Sequence, residues 1–255
     1  MTLPFAVDAM ALRFLLLLFA GHLLSDFFFQ TASIARNKGR QISALMLHGL
    51  WTFVVHAAVL FPFWNGPVLI GIAALSLVHI GIDWIKPRLF GNGGRTLSAF
   101  FLDQGFHLLT LIALSWVVSY RGDVQSPLIS AGKLDLYVRA MVIVAGFAFN
   151  GKGGTTIVRM LLSRFPAISG PLKEDKNGAY AMGLVIGDLE RFILYLLVLL
   201  GHWGALGFVI AAKSIARFKG LDEKGFADYY LIGTLASVLV ALISGVVASL
   251  LLGLL

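Results

Sequence analysis

At 255 residues, 58% hydrophobic and only 13% charged, the chain is too apolar to fold as a water-soluble domain, and the lipid bilayer must be its principal partner. Its formal charge of +7 lies in short connections between apolar runs, where Lys and Arg set membrane orientation; this argues against nucleic acid as a partner. With no cysteine, it has neither a disulfide framework nor a thiolate metal site.

Spanning a hydrocarbon core of about 30 Å takes roughly 20 apolar residues in a helix. Runs of this kind recur along the chain without the period-two alternation of a barrel strand, so an all-α, polytopic bundle is expected. The predicted spans are residues 10–30, 44–64, 67–86 and 99–119, then, after a polar loop marked by Arg121, Asp123, Pro127 and Lys133, residues 136–150, 180–200, 203–217 and 229–252. Residues 1–120 thus form an N-terminal four-helix group, and 134–255 a C-terminal helical group. The first run follows Asp8, has no basic residue before Arg13 and no small-residue cleavage site after it, so it reads as a span rather than a cleaved signal. The fifth span is short, contains Arg139 and runs into Asn150-Gly-Lys-Gly-Gly154; residues 155–165 read either as its continuation or as an interfacial amphipathic helix. The glycine stretch lacks a strand-loop-helix setting and the full P-loop pattern, so it does not indicate nucleotide binding.

Basic residues alternate from one connection to the next. Arg36, Lys38 and Arg40 follow the first span, Lys86, Arg88 and Arg95 the third; Arg159, Arg164, Lys173 and Lys176 precede the sixth, and Lys213, Arg217 and Lys219 end the seventh. The connections at Asn65-Gly66 and Gly201-His202-Trp203 carry no Lys or Arg. About eight spans with both termini outside satisfy this pattern, the basic loops being cytoplasmic.

Ionisable groups inside hydrocarbon cost several kcal/mol unless paired, hydrogen-bonded or coordinated, so each is a functional candidate. His22 and Asp26, His79 and Asp83, and Asp103 and His107 are each four apart, hence on one helix face. The first and third spans run inward and read His then Asp; the fourth runs outward and reads Asp then His. Reversed order cancels reversed direction, placing all three aspartates about one turn inside the cytoplasmic end and the three histidines about one turn deeper. His48 falls in the aspartate layer, and short connections make the four helices neighbours.

Imidazole and carboxylate from several helices are the ligand set for divalent zinc, manganese or iron. The expected metal ligands are His22, Asp26, His48, His79, Asp83, Asp103 and His107, with Asp83, Asp103 and His107 as catalytic candidates for activating a bound water. The same residues would serve a proton- or ion-coupled carrier, and interhelical hydrogen bonding alone would make them a non-catalytic scaffold. Haem is disfavoured, because each histidine has an acidic companion that would need its own neutralisation. His56 lies deeper, either lining the same cavity or packing; His202 is expected at the outer surface. Gln30 and Gln104 flank the aspartates, as amide donors to a carboxylate or as helix-end caps. In the second half, Asp188, Glu190 and Arg191 on the sixth span face Lys213, Ser214 and Arg217 at the end of the seventh. They read as acids neutralised by bases on the next helix or as an anionic-headgroup pocket, with Lys213 and Arg217 joining Gln30 and Gln104 as substrate-binding candidates.

The segments Gly21-His22-Leu-Leu-Ser-Asp26-Phe-Phe-Phe-Gln30, Leu47-His48, His79-Ile-Gly-Ile-Asp83 and Phe101-Leu-Asp103-Gln104-Gly-Phe-His107 resemble the bacterial membrane family called domain of unknown function 3307 (DUF3307). The resemblance extends to residues 183–191, 211–218 and 230–234, as in longer family members. It implies the multi-pass architecture and this choice of site residues, in the bacterial inner membrane, without supplying a reaction. The expected function is a metal-dependent hydrolase or transferase acting on a lipid-like or other small-molecule substrate at the cytoplasmic leaflet, against the carrier and scaffold alternatives.

Overall fold

The computed structural model describes residues 9–91, 96–124, 128–165, 179–216, 218 and 224–255, which are helical or loop; no strand occurs among them. The helices are α1 (Ala9–Leu24), continued by a π turn (Ser25–Phe29), α2 (Ala32–Asn37), α3 (Ile42–Val59), α4 (Gly66–Phe90), α5 (Leu97–Tyr120), α6 (Ala131–Ala148), a second π turn (Phe149–Gly153), α7 (Gly154–Leu162), α8 (Ala179–Leu199), α9 (Trp203–Ala216) and α10 (Lys224–Gly253). Side-chain caps fix three starts: Thr31 accepts from the Ile34 amide, Asn65 from Val68 and Thr96 from Ala99.

Among the described residues six helical stretches are long and apolar enough to cross a membrane, Ala9–Phe29, Ile42–Val59, Gly66–Phe90, Leu97–Tyr120, Ala131–Leu162 and Ala227–Gly253, which makes this a multi-pass membrane protein by length and composition. The alternative left open after residue 150 resolves as a continuation, since the second π turn joins α6 to α7 without a break. α8 carries Asp188, Glu190 and Arg191 within its 21 residues. α9, with 14 residues, reaches about 21 Å at 1.5 Å per residue, short of the hydrocarbon thickness.

The helices are polarised inside out. On α4 the buried side is Val68, Ile72, Leu75, Ser76, His79 and Asp83, while Leu69, Ile70, Leu77, Val78, Trp84 and Ile85 are exposed. A water-soluble helix would bury the second set; here lipid is the solvent, and the polar groups retreat inward.

The chain divides into two compact units between Ala145 and Gly146. In the first, α1 packs on α3 and α5, and α4 on α3 and α5, closing a four-helix ring. α1 is the most buried of the four. The start of α6 covers it further: Arg13 Nε donates to Asp135 Oδ1 at 2.5 Å, and Tyr137 donates to the Val59 carbonyl at 3.0 Å. α3 and α4 approach closely at Gly49, where a Cβ would collide with the Ile80 side chain. Both residues directly follow site histidines, His48 and His79. Gly49→Val is therefore expected to wedge the helices apart, costing about 1–3 kcal/mol as overpacking does and weakening metal binding by the same variant. Unfolding in detergent followed by helical circular dichroism, beside a metal titration, checks both effects.

In the second unit α8 packs on α10, α7 and α9, and the second π turn packs on α8. Gly146 admits the Tyr195 ring at a distance no Cβ would permit.

Candidate metal centre

Each helix of the first ring contributes ionisable groups to one buried cluster. Its buried stripes, Gly21–His22–Ser25–Asp26 on α1 and its π turn, Leu45–His48–Thr52 on α3, Ser76–His79–Asp83 on α4 and Asp103–His107–Leu111 on α5, all follow helical spacing and all face inward. The π turn adds a wider coil at Asp26, closed by the Gln30 amide on the Ser25 carbonyl five residues back at 3.0 Å.

Four ligand atoms form the tightest part. His48 Nε2 lies 3.4 Å from Asp26 Oδ1, 3.3 Å from Asp83 Oδ2 and 3.0 Å from His79 Nε2. His79 Nε2 lies 3.5 Å from Asp26 Oδ1 and 3.5 Å from Asp83 Oδ2. A tetrahedron with metal–ligand distances of about 2.0–2.1 Å has edges of about 3.3–3.4 Å, so these five separations are close to those of a tetrahedral N2O2 site. The four residues are at most 5% exposed.

The remaining predicted site residues gather around this core. His107 stacks on His79 with ring centroids 4.0 Å apart, and its Nε2 is 3.7 Å from Asp103 Oδ1. His22 stands to the side, Nε2 3.9 Å from Asp26 Oδ2 and 3.2 Å from Gln104 Oε1, so that this nitrogen donates to the amide. Gln104 thus meets an imidazole rather than a carboxylate. Gln30 donates to the Asp26 backbone carbonyl at 3.0 Å, holding the π turn. Three overlapping triads have ligand atoms mutually within 4.8 Å: His22, His79 and His107; Asp26, His48 and His79; Asp83, Asp103 and His107. His56 is buried but belongs to none of them; its Nδ1 donates to the Thr52 carbonyl at 2.7 Å, and its ring packs against Gly21, where a Cβ would come within 2.9 Å.

Two lysines read from the sequence only as orientation charges also enter the cluster. Lys38, just past α2, donates to Asp83 Oδ2 at 2.8 Å, and Lys86 on α4 donates to Asp103 Oδ2 at 2.6 Å. Burial pulls the Lys38 ammonium toward its neutral form, but the Asp83 and Asp26 carboxylates outweigh this and raise its pKa, so it stays charged. The available signal was spacing: Lys86 lies three residues after Asp83, on the same face of the helix that leads into Asp103's connection.

In the second unit, Lys213 donates to Glu190 Oε2 at 2.5 Å across α8 and α9, as neutralisation by the next helix requires. Asp188 instead pairs with Arg191 on its own helix. Arg191 is 2% exposed and donates to the Asn150 carbonyl at 2.5 Å, Ser237 Oγ at 3.0 Å, Thr155 Oγ1 at 2.5 Å and the Gly151 carbonyl at 3.4 Å. The π turn supplies two of these acceptors. A Cβ at Gly154 would lie 2.6 Å from Arg191 Nε, so Gly154→Ala is expected to destabilise the second unit by about 1–3 kcal/mol with metal content unchanged, as read by thermal unfolding and metal analysis of the same sample. Lys213, Glu190 and Arg191 line a cavity of about 390 Å³ with Thr155, Tyr229 and Thr234. Arg217 lies outside the described residues, as do Arg95, Pro127, Lys173, Lys176 and Lys219.

No curated protein and no solved structure matches this chain. The segments at 183–191, 211–218 and 230–234 lie beyond the family-model match, which ends at residue 131. Residues 14–131, the stretch holding all three His/Asp pairs, His48 and both site lysines, match the model described as Protein of unknown function (DUF3307), and over this stretch, a little under half of its length, the chain is similar to that family.

Proposed function

We propose that residues 1–120 bear the site of a metal-dependent hydrolase or transferase of the bacterial inner membrane, acting on a lipid-like substrate at the cytoplasmic leaflet, with residues 134–255 as a second transmembrane group. The carrying observation is the four-atom set Asp26 Oδ1, His48 Nε2, His79 Nε2 and Asp83 Oδ2, in which the five separations that involve an imidazole, 3.0–3.5 Å, suit ligands of one tetrahedral cation. Such geometry favours zinc; manganese or iron would add water ligands. A bound divalent ion lowers the pKa of a water ligand and polarises a substrate oxygen. Asp103 and His107, beside the four-atom set, are the groups to take and return a proton. His22 is oriented by Gln104, and Gln30 fixes the turn that aims Asp26. Lys38 and Lys86 each spend one of three N–H donors on an aspartate, leaving donors for an anionic headgroup. Lys213 and Arg217 are further basic contacts for an anionic headgroup in the second group. With α8, and with α9 crossing where the bilayer thins locally to its about 21 Å, the six apolar stretches make up eight crossings with both termini outside.

The 3.0 Å imidazole–imidazole contact between His48 and His79 is also what a proton relay uses, and supports a proton-coupled carrier as the competing reading. Metal analysis of protein purified in nanodiscs, wild type beside His48→Ala and Asp26→Asn, decides between them. Stoichiometric zinc lost in both variants, with zinc-dependent headgroup release from anionic lipid, supports the enzyme. A metal-free wild type whose proton flux in proteoliposomes is sensitive to the variants overturns it in favour of the carrier; absence of both, with only a lowered Tm in the variants, leaves a scaffold.

A further inference from the structure

We propose that Asp83 bridges two metal ions, the second held by Asp83 Oδ1, Asp103 and His107, and that a phosphoryl dianion completes this two-ion centre. The proposal rests on the metal reading above and goes beyond it in nuclearity and substrate class, with Asp103 and His107 serving as ligands in place of the proton-transfer role. Asp83 Oδ2 is occupied, facing His48, His79 and Lys38. Asp83 Oδ1 is buried and has no hydrogen-bond partner. The same is true of Asp103 Oδ1, whose other oxygen takes Lys86, and of both ring nitrogens of His107. These residues are 2%, 4% and 1% exposed, and they form a triad with ligand atoms mutually within 4.8 Å.

Each unsatisfied buried polar atom costs about 1–3 kcal/mol, and four of them on three residues of one ligand-sized group point to something that binds there. The two oxygens and one imidazole nitrogen are ligand atoms of the kind the four-atom set uses on the other side of the same carboxylate. A carboxylate that offers one oxygen to each of two sites spaces their ions by about 3.5–4 Å, the separation at which a two-metal centre clamps the attacking and leaving oxygens of a displacement.

Charge then selects the ligand. Asp26, Asp83 and Asp103 against Lys38 and Lys86 leave a formal charge of minus one, which two divalent ions would carry to plus three. Uncompensated charge of that size is not tolerated in a buried site. A metal-bound hydroxide together with a phosphate monoester or inorganic phosphate dianion returns the sum to zero, and the spare lysine donors face the same need.

The test is manganese binding to the full chain in nanodiscs, counted by equilibrium dialysis and read by electron paramagnetic resonance. One arm adds inorganic phosphate; the other builds phosphatidate into the disc in phosphate-free buffer. Two ions per chain with an exchange-coupled spectrum in either arm is the expected result, and the arm that gives it identifies a free or a lipid-borne phosphoryl group. His107→Ala and Asp103→Asn should each retain one ion with an uncoupled six-line signal, either variant sufficing if the other fails to fold. A wild type that saturates at one uncoupled ion in both arms overturns the bridge while leaving the metal reading intact; no bound ion in either arm overturns both.

Discussion

His79→Ala is expected to lower zinc affinity by more than about 100-fold, beyond the 10–100-fold that disturbing a ligand's supporting partner costs. No other ring joins as much of the centre: its Nε2 touches His48, Asp26 and Asp83, and its face stacks on His107. Isothermal titration with zinc and metal analysis of the purified variant measure the loss. His56→Ala is the matched control, because that ring is equally buried but bonds to the Thr52 carbonyl outside the triads. It should lower the Tm through lost packing and leave metal stoichiometry at the wild-type value. Equal metal loss in the two variants would mean that the cluster responds to general loosening of the ring rather than to removal of a ligand.

Arg191→Leu carries the largest expected effect on stability, about 3 kcal/mol, the upper end of what an unsatisfied buried acceptor costs, since the Asp188 partner is part-exposed. The guanidinium ties the second π turn, Thr155 and Asp188 to Ser237 on α10. Its loss removes the side-chain donor from the Asn150 carbonyl and leaves the Asp188 carboxylate without its counter-charge, with the Thr155 hydroxyl as its remaining side-chain donor. Arg191→Lys should recover little, since three donors on a flexible stem do not reproduce the planar fork. The double variant Arg191→Leu with Asp188→Leu should recover part of the loss, because the stranded charge is removed as well. Denaturant titration in detergent, followed through the helical signal, measures all three; a single-variant cost below about 1 kcal/mol would show the network to be dispensable.

The meeting of groups in the first unit was legible because direction and order compensate. His22 and Asp26 descend with α1, Asp103 and His107 ascend with α5, and the reversal puts like residues at like depth in any up-down bundle. The four-residue spacing needs no tertiary knowledge. Lys38 and Lys86 were not legible as part of the cluster. Basic residues at a membrane boundary serve topology, and nothing in a run such as Arg36-Asn-Lys38-Gly-Arg40 says that one ammonium turns back toward an aspartate on α4. The π turns were hidden for a related reason: Ser25-Asp26-Phe-Phe-Phe29 is compatible with a four- or a five-residue hydrogen-bond step, and only packing of Phe27 inside and Phe28 outside separates them. The extent of α9 was legible from hydropathy, which marks 203–217 where the described helix is Trp203–Ala216.

The wider coil at Ser25–Phe29 holds one more residue than a regular turn would. Wound as regular helix, the same five residues would turn α1 by about 100° relative to the chain that follows Phe29. The stripe that carries His22 would then swing from the shared interior toward lipid. The angular setting of the first helix therefore hangs on how many residues a single turn holds.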